Sequence, residues 1–435
     1  MSSPLHFITA DEALTAVKSG QRVYVHNGCA EPVDLVNALT RRAPELRDVE
    51  VLHTATMGTA DYTLPEYEGH FRHHAMFIGG NVRRAVQEGR ADYTPIFLGE
   101  IEALFTSGAM PIDVCLLQCT PPDRHGYISL GVSTDMSLTA AQCARHLIVE
   151  INPLMPRTFG EGYLHVSLVH AFVEASHALC EYQQHEITSL HRAIARRVAN
   201  LIPDGATIQT GIGGLPEAVL GFLGDHRDLA IHSELVPDGA VEMIQKGIIN
   251  GERKTLHPGK VISGFVLGTK KLFDFAENNP IFDFHKQAYV NDPFVIAQND
   301  RMVAINSAIE VDLTGQVCSD SVGLTPYSGI GGQVDFLRGA ARSKGGVPII
   351  ALPSSAKGGK VSRIVPTLKP GAGVVTSRGD VHYVVTEHGV AYLHGRTLRQ
   401  RAESLIKIAA PQFREELERY AVENKLLGQP VRPLK

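Results

Sequence analysis

The sequence predicts an α/β protein built from two tandem, internally duplicated open α/β domains with largely parallel sheets. Short apolar strands alternate with helical segments in both halves of the chain, which is typical of parallel sheets covered by helices. Segments of the first half recur in the same order in the second half, as expected after a duplication. At 435 residues, the chain is long enough for two domains that each bury a core.

Four pairs of segments carry the duplication. Each member of the first pair contains a strand, a glycine-bearing turn, a proline and a helix with amphipathic spacing. The last pair aligns without a gap and keeps Asp-x-x-Gly at the same place, Asp123/Gly126 and Asp312/Gly315. Four matches in one order indicate a duplication rather than chance similarity. The pairs are Gly20–Leu39 with Gly205–Leu223, Arg47–Ala55 with Arg227–Leu235, Phe77–Gly80 with Phe265–Gly268, and Val114–Ser129 with Val303–Cys318.

The boundary between the halves is predicted between Cys180 and Thr188, ahead of the helical segment SLHRAIARRVANLI. We therefore predict an N-terminal domain over residues 1–185 and a C-terminal domain over residues 186–435. The segment Leu398–Leu427 is rich in Arg, Glu, Leu and Ala, which predicts one or two helices that pack on the second half.

Composition excludes several functional classes. The net charge is −5 and the 41 Lys and Arg residues are scattered, so the sequence has no electrostatic footprint for nucleic acid. No apolar segment approaches the length of a membrane span, and the N-terminus lacks the basic start and apolar run of a signal peptide. The cysteines are too few for a disulfide framework and are expected to be reduced thiols of a cytoplasmic protein: Cys29, Cys115, Cys119, Cys143, Cys180 and Cys318.

The segment DLAIHSELVPDG, Asp228–Gly239, places a glutamate at the end of a buried strand. Its apolar run ends in three polar residues, from His232 to Glu234. A carboxylate at such a point costs free energy to desolvate unless it is paired or used. Aligning His232 with His53 places Glu234 opposite Ala55, so the sister strand lacks the carboxylate. A chemical role and a simple ion pair or solvent contact both remain open at this point.

Three further segments of the second half place glycines or a carboxylate where strands end. In open α/β sheets, ligands bind beyond the carboxyl ends of the strands. Glycines between a strand and a helix let backbone N–H groups approach an anion or a developing oxyanion. We therefore expect these segments to form one cleft around Glu234. They contain Gly211, Gly213 and Gly214 in ATIQTGIGGLP, Gly329, Gly331 and Gly332 in YSGIGGQVDF, and Glu387 in YVVTEHGVA.

Competing enzymatic motifs have weaker support in the residues. A dinucleotide motif requires glycine where the chain has Pro216 and Val334. Ser354 and Lys357 have the spacing found in serine β-lactam-recognising enzymes, but the adjoining Pro353 and glycines disfavour the helix that such a site needs. The chain also has no G-x-S-x-G segment for a serine hydrolase.

No metal-ligand set is predicted either. Histidines 70, 73 and 74 have the spacing of one helical face, but no carboxylate or cysteine partner lies at typical ligand spacing, so a polar surface is favoured. Cys115 and Cys119 bracket an apolar strand and are expected in the core, and His125 is expected in a turn. We therefore expect that EDTA leaves any activity of this protein intact.

Six segments of the chain, all in the second half, resemble the acetyl-CoA hydrolase/transferase family, and most closely its 4-hydroxybutyrate CoA-transferase branch. The combination of HSE with a downstream GGQVDF is the specific part of the resemblance. The resemblance covers nearly the whole chain and is strongest from Gly205 to Leu417. The segments are GIGGLP, IHSELVPDG, YVNDPFVIAQND, SGIGGQVDFLRGA, IVPTLKPGAGVVTSRGDVHYVVTEHGVA and LRQRAESLIKIAAPQFREEL.

The resemblance implies the CoA-transferase fold and a role for each of several residues. Glu234 matches the catalytic glutamate, Asn291 and Glu387 match residues that orient the glutamate and the carboxylate substrate, and Lys357 is expected at the CoA phosphates. The oxyanion- and CoA-binding backbone maps onto Thr210, Gly211, Ile212, Gly213, Gly214, Gly331 and Gly332.

The activity that the resemblance implies is transfer of CoA from a short-chain acyl-CoA to a free carboxylic acid through a glutamyl-CoA thioester, with ping-pong kinetics. The acid is of the 4-hydroxybutyrate, butyrate or acetate type, or a dicarboxylate such as succinate or itaconate. CoA is expected as a substrate, and no permanently bound cofactor is expected. No nucleic-acid or membrane partner is expected. The chain is expected to form a homo-oligomer, either a dimer or a tetramer. An acyl-CoA hydrolase on the same scaffold and a non-catalytic CoA sensor remain alternatives. The acyl pocket is expected at His26–Pro32 and Cys119–Gly126.

Overall fold

The computed structural model describes residues 5–183 and 186–428. The first half alternates strands with short helices, as the sequence predicts. Its elements are β1 Phe7–Ile8, α1 Ala10–Ala13, β2 Arg22–Val25, α2 Val33–Arg41, β3 Val49–His53, β4 Phe71–Ala75, α3 Arg83–Gln87, β5 Ala91–Tyr93, α4 Ile101–Thr106, β6 Val114–Cys119, β7 Tyr127–Ser129, α5 Ser137–Cys143, β8 His146–Ile151, β9 Tyr163–His165 and β10 Ala171–Glu174.

The second half repeats this alternation and adds several two- and three-residue strands around it. Its elements are α6 Ser189–Ala199, β11 Thr207–Gln209, α7 Gly214–Gly221, β12 Ala230–Ile231, β13 Leu235–Pro237, α8 Gly239–Gln245, β14 Val261–Ser263, β15 Phe265–Leu267, α9 Lys270–Ala276, β16 Phe282–Phe284, α10 Gln287–Val290, α11 Pro293–Ile296, β17 Met302–Asn306, β18 Glu310–Asp312, β19 Val317–Cys318, β20 Ser321–Val322, β21 Thr325–Pro326, α12 Gln333–Arg342, β22 Val347–Ala351, β23 Ser355–Ala356, β24 Val361–Ser362, β25 Ile364–Val365, β26 Tyr383–Thr386, β27 Gly389–Tyr392, α13 Leu398–Ile408 and α14 Arg414–Glu423.

Each half is organised around one large sheet. The eight-stranded sheet has the order β1-β10-β8-β6-β2-β3-β4-β5, and all its neighbouring strands are parallel. The six-stranded sheet has the order β12-β11-β17-β22-β26-β27, with only the last pair antiparallel. The run β10-β8-β6-β2-β3 corresponds to β26-β22-β17-β11-β12, so the predicted duplication and fold class are confirmed.

The strand registers confirm the alignment of the halves and correct it at one point. In the first half Val23 pairs with Val51 and Val114, and at the aligned positions Ile208 pairs with Ile231 and Val303. This register places Thr54, and not Ala55, opposite Glu234, so the alignment of His53 with His232 was wrong by one residue. Because side chains alternate along a strand, the two histidines point to opposite faces of their sheets.

The Asp-x-x-Gly turns are also the same in both halves. The N–H of Gly126 donates to the Asp123 carbonyl at 3.0 Å, and the N–H of Gly315 donates to the Asp312 carbonyl at 2.9 Å. Both glycines have left-handed φ angles, +84° and +94°, which favour glycine. His125 lies in the first of these turns and is exposed, as predicted.

Alternate side chains of the central strands enter separate cores on the two faces of each sheet. In β17, Val303 and Ile305 pack on one face, whereas Met302 and Ala304 pack on the other. The strands are therefore continuous apolar runs, as parallel strands covered on both sides should be. Cys115 and Cys119 are buried in β6, as predicted, and all six cysteines are free.

The C-terminal helices pack on the second half, as predicted. Helix α13 begins at a capping box formed by Thr397 and Gln400. Leu405 in α13 and Leu417 in α14 are buried in the core on one face of the six-stranded sheet. None of the helices in the described ranges combines the length and the apolarity that a bilayer span requires.

The histidine-rich segment forms a strand and not a helix. In β4, His73 is buried and stacks on His53 with 4.2 Å between ring centroids, while His74 bonds Glu50 Oε1 at 2.7 Å. Pairing of β4 with β3 and β5 overrides the local spacing, so the grouping of these histidines on one helical surface was wrong.

The two halves meet through backbone hydrogen bonds. The Gly264 carbonyl accepts from the N–H groups of Thr134 and Asp135 at 3.0 Å each, and the N–H of Leu98 donates to the Gly331 carbonyl at 3.1 Å. The first-half backbone thus contacts two of the segments that surround Glu234. The domain boundary at residues 185/186 stays a prediction, and residues 184 and 185 lie outside the described ranges.

Candidate active site

Glu234 lies where the chain leaves the six-stranded sheet. β12 pairs with β11 inside that sheet, whereas β13 pairs with β15 outside it. Between them, the Glu234 backbone carbonyl accepts hydrogen bonds from the N–H groups of Gly264 (3.1 Å) and Phe265 (3.3 Å) and from the Ser263 hydroxyl (3.2 Å). These bonds fix the backbone of Glu234 at the carboxyl end of β12, where α/β sheets bind ligands.

The Glu234 carboxylate is partly buried and contacts two neutral donors. Asn291 Nδ2 donates to Glu234 Oε2 at 3.4 Å, and the Gly332 backbone N–H is the second donor. Burial is the main cause that raises the pKa of Glu234 to about 7; Asp335 also raises it, while Asn291 and Gly332 oppose the rise. At neutral pH this carboxylate is therefore available in its ionised form but is weakly solvated.

Gly332 makes the close approach to Glu234 possible. A Cβ at position 332 would overlap both Glu234 Oε2 and Asn291 Nδ2. In the same loop Gly331 has a φ of +62°, and in the loop after β11 Gly213 has a φ of +104°. Only glycine adopts these conformations without strain, so both glycine loops depend on their glycines.

Asn291 connects Glu234 to a second carboxyl group, that of Asp335. The Asn291 side chain is fully buried; its Oδ1 accepts from Gln287 Nε2 at 2.5 Å, and its Nδ2 donates to Asp335 Oδ2 at 3.1 Å. Asp335 Oδ2 also accepts from the Gly99 N–H at 3.4 Å. Sequence reasoning missed Asp335, because an acidic residue in the first turn of a helix is common and gave no separate signal.

The two residues before Glu234 form hydrogen bonds to the segment before Asn291 and to the first glycine loop. His232 Nε2 contacts the Val290 carbonyl at 2.9 Å, next to Asn291. Ser233 Oγ donates to the Thr210 carbonyl at 2.9 Å and accepts from the Thr210 N–H at 3.3 Å. Burial lowers the pKa of His232 to about 3, so its ring is neutral and Nε2 carries the proton that it donates. The HSE motif could be identified from the sequence, but the hydrogen-bond partners of His232 and Ser233 could not.

A cavity of about 780 Å³ joins Glu234 to most of the predicted ligand-binding residues. From the predicted set, Gly211, Ile212, Gly213, Gly331, Gly332 and Lys357 line it together with Glu234. Three others lie just behind its wall. Thr210 is buried, Gly214 is the first residue of α7, and Asn291 bonds Glu234 from below the surface.

Four cationic side chains line this cavity: Arg83, Lys357, Arg363 and Lys369. The Arg83 guanidinium stacks 3.9 Å from the centroid of the Tyr327 ring, and Lys369 pairs with Glu310 at 2.6 Å. Lys357 lies in the turn between β23 and β24 with a φ of +51°. A cavity with this lining suits a ligand that carries several negative charges.

Glu387 does not contact Glu234 in the described structure. Its carboxylate instead accepts hydrogen bonds from the N–H and the hydroxyl of Ser354, and the Ser354 carbonyl accepts from the N–H of Arg363 at 2.9 Å. Glu387 therefore reaches the cavity only through Ser354 and Arg363. Ser354 itself is buried and precedes the short strand β23, so the helix of a serine β-lactam-recognising site is absent there.

The first-half wall of the cavity differs from the expected acyl pocket. Phe77, Arg83 and Tyr182 line the cavity, whereas no residue of His26–Pro32 or Cys119–Gly126 does. Residues 26 to 31 are buried; the Glu31 carboxylate accepts from the Gly58 N–H at 2.6 Å, and burial raises its pKa. The first segment turns into the interior after β2, whereas residues 121 to 125 of the second are exposed or half-buried after β6. An acyl pocket at these two segments stays a prediction.

One group of side chains in the described ranges has metal-like spacing, Asp34, Glu150 and His177. None of the three lines the cavity that contains Glu234. His177 Nε2 lies 2.5 Å from Glu150 Oε1, and this hydrogen bond is the main cause that raises the pKa of His177 to about 9. A protonated imidazole donates to the carboxylate and offers that nitrogen to no metal, so the group forms an ion pair.

Comparison with known proteins places this chain in the class of CoA-transferase enzymes. The chain belongs to the acetyl-CoA hydrolase/transferase family, because residues 4–180 match the family's N-terminal domain and residues 268–421 match its C-terminal domain. It is 51% identical over 410 residues to the 4-hydroxybutyrate coenzyme A transferase of Clostridium kluyveri, covering 94% of this chain and 96% of that one. The resemblance noted in the sequence is therefore confirmed.

Other relatives agree with this assignment. A succinyl-CoA:acetate/propanoyl-CoA:succinate CoA transferase of Fasciola hepatica is 48% identical, covering 97% of this chain and 89% of its own. Among solved structures, a 4-hydroxybutyrate CoA-transferase from Porphyromonas gingivalis has a TM-score of 0.83 at 41% identity, covering 96% and 97% of the two chains. RipA from Yersinia pestis has a TM-score of 0.91 at 36% identity, covering 97% and 98%.

Proposed function

We propose that this CoA-transferase moves CoA from a short-chain acyl-CoA to a free carboxylic acid, with Glu234 carrying CoA as a glutamyl thioester. The acid proposed is of the 4-hydroxybutyrate, butyrate or acetate type, or a dicarboxylate such as succinate or itaconate. The observation that carries the proposal is the Glu234 carboxylate in the wall of a cationic cavity that both glycine loops also line. A carboxylate nucleophile preserves the free energy of the thioester, which hydrolysis would lose.

In the first half-reaction, a Glu234 oxygen attacks the acyl-CoA carbonyl carbon. The new C–O bond gives an acyl-glutamyl anhydride, the C–S bond breaks, and CoA leaves as a thiolate. The thiolate then attacks the glutamyl carbonyl carbon, forms a C–S bond to Glu234 and releases the first acid as a carboxylate. A second carboxylate reverses both steps. Each nucleophile and each leaving group is an anion, so the transfer requires no proton.

Each attack produces a tetrahedral oxyanion that the site is suited to bind. We assign this role to the backbone N–H groups of Gly211 to Gly214 and of Gly331 and Gly332, where each well-placed donor contributes about 3 kcal/mol. The Thr210 N–H already donates to Ser233 Oγ, so Thr210 is proposed to fix the start of the first glycine loop. The Asn291 amide is proposed to orient Glu234. Lys357 is proposed to bind CoA phosphates, and Glu387 to hold Arg363 in the cavity wall through Ser354.

Initial-rate kinetics test the proposal directly. With an acyl-CoA donor and an acid acceptor varied together, we expect parallel double-reciprocal lines, because the glutamyl thioester separates the half-reactions. Intersecting lines would contradict the proposal. A panel of acids assayed in the same way identifies the preferred acceptor.

A hydrolase on this scaffold is the second candidate, since an acetyl-CoA hydrolase of Yarrowia lipolytica is 26% identical over 402 residues. Water would then attack the anhydride or the thioester. Thiol release from acyl-CoA without an added acid distinguishes the candidates: a transferase keeps the CoA on Glu234, so it releases one equivalent of acid per site and no thiol, whereas a hydrolase releases thiol continuously.

Gly211→Ala tests whether the substrate approaches the first glycine loop. A Cβ at position 211 would meet only Pro216 Cγ, at 3.9 Å, so the fold should tolerate it. A bound thioester displaced by about 1 Å can lose about a hundredfold in rate, and we expect at least a tenfold loss of kcat/KM with every acid at an unchanged melting temperature. Gly221→Ala, in a position with no atom within 4 Å, is the control. Wild-type kcat/KM in Gly211→Ala would remove this loop from the site.

A further inference from the structure

Asp335 is a buried carboxyl group beside Glu234 that the proposed steps do not use. It is 7% exposed, and its described hydrogen bonds come from neutral donors, Asn291 Nδ2 at 3.1 Å and the Gly99 N–H at 3.4 Å. The same Asn291 nitrogen donates to Glu234 Oε2. Two carboxyl groups thus share one amide in a weakly solvated site, an arrangement that is costly when both are ionised.

Charged groups near Asp335 do not neutralise it. Arg338, one turn along α12, forms its ion pair with Asp380 at 3.2 Å. Glu100, at the end of the 3₁₀ helix Leu98–Glu100 before α4, adds a further negative charge. Burial is the main cause that raises the pKa of Asp335 to about 7, with Glu100 adding to the rise and Asn291, Gly99 and Arg338 opposing it. The pair is therefore predisposed to hold one proton between its two carboxyl groups.

We propose that Asp335 is a charge-setting residue of the transfer reaction: its negative charge opposes that of Glu234, and this repulsion is relieved when Glu234 is acylated. The inference rests on the proposed glutamyl mechanism. Formation of the thioester removes the charge of Glu234, because the released acid carries the negative charge away as a carboxylate. Asp335 then ionises without an opposing charge, and a proton held by the pair passes to water. Asp335 thereby favours the thioester over the resting carboxylate.

Asp335→Asn is a sharp test because one oxygen, Oδ2, accepts both hydrogen bonds. The asparagine carbonyl oxygen can take the same position, so the variant removes the charge and keeps the contacts. Glu242→Gln, an exposed residue paired with Lys246 at 2.5 Å on α8, is the control for a loss of one charge in the same half.

The first readout is kcat/KM for the acyl-CoA between pH 5 and 9. Only ionised Glu234 attacks, so the wild-type value should fall as the pH drops through about 7. Removing the Asp335 charge makes ionised Glu234 easier to form, and we expect the acidic limb of Asp335→Asn to move to lower pH by roughly one unit. Glu242→Gln should keep the wild-type limb.

The second readout is the fraction of enzyme present as CoA adduct at pH 8, by intact mass, at one fixed ratio of acyl-CoA to free acid. In Asp335→Asn the charge repulsion with Glu234 is removed, so the thioester is no longer favoured over the resting carboxylate. We therefore expect the adduct fraction to fall by about threefold or more. A wild-type acidic limb and a wild-type adduct fraction in a folded Asp335→Asn enzyme would overturn the inference. Failure of the glutamyl mechanism is recognised separately, because then the wild-type enzyme forms no adduct at all.

Discussion

Glu234→Ala is expected to lose CoA exchange by at least about ten-thousandfold, the scale of removing a catalytic nucleophile. Incubation of the wild-type enzyme with acyl-CoA and no acceptor should attach CoA to the peptide that contains IHSELVPDG, and the variant should lack this adduct. Intact mass followed by peptide mapping measures both. Glu242→Ala, which removes an exposed glutamate of the same half, should keep the adduct and the exchange.

Glu234→Asp distinguishes transfer from hydrolysis at the same residue. The shorter side chain withdraws the carboxylate by roughly 1.5 Å, and a displacement of about 1 Å can cost a hundredfold in rate. The space that it leaves admits water, so exchange should collapse while slow thioester hydrolysis persists or rises. If Glu234→Ala exchanges CoA at the wild-type rate, the carboxylate is structural and the proposed mechanism is wrong.

Gly332→Ala is expected to have the second-largest effect. The added Cβ would overlap both the Glu234 carboxylate and the Asn291 amide, so at least one of them must move. We expect turnover to fall by about a hundredfold or more with every acid, together with loss of the CoA adduct. Steady-state rates and intact mass are the measurements.

The control for Gly332→Ala is Gly221→Ala, where the added methyl group meets no atom within 4 Å. Both variants add one methyl group to a glycine next to or within a helix of the same half. Equal losses of activity in the two variants would show that the effect comes from general destabilisation. Wild-type turnover in Gly332→Ala would show that the close contact with Glu234 is unimportant.

The fold could be predicted because its signals are local and repeated. Apolar runs of strand length, turn glycines and the Asp-x-x-Gly turns recur along the chain, and their order alone specifies two related sheets. The alignment of His53 with His232 was wrong by one residue. It matched two identical residues in a short segment and disregarded the alternation of side chains along the strand. The same alternation separates His73 from His74, which local spacing had grouped.

Only those residues of the candidate site that directly follow strands could be predicted from the sequence. Glu234 and the glycine loops follow strands, so their neighbourhood was foreseeable from topology. Asp335, the first-half wall at Phe77 and Arg83, and the diversion of Glu387 to Ser354 depend on contacts between residues far apart in the chain. A single sequence carries no local signal for such contacts.

The hydrogen bonds from Thr134 and Asp135 to the Gly264 carbonyl have a consequence for biosynthesis. Gly264 also donates its own N–H to the Glu234 carbonyl, so the strand end that carries the carboxylate is shaped in part by the first half. Ribosomes deliver the chain from its N-terminus, and domains generally fold in that order. The first half therefore acts as an internal template that is already present when the second half emerges, and a separately expressed second half would lack it.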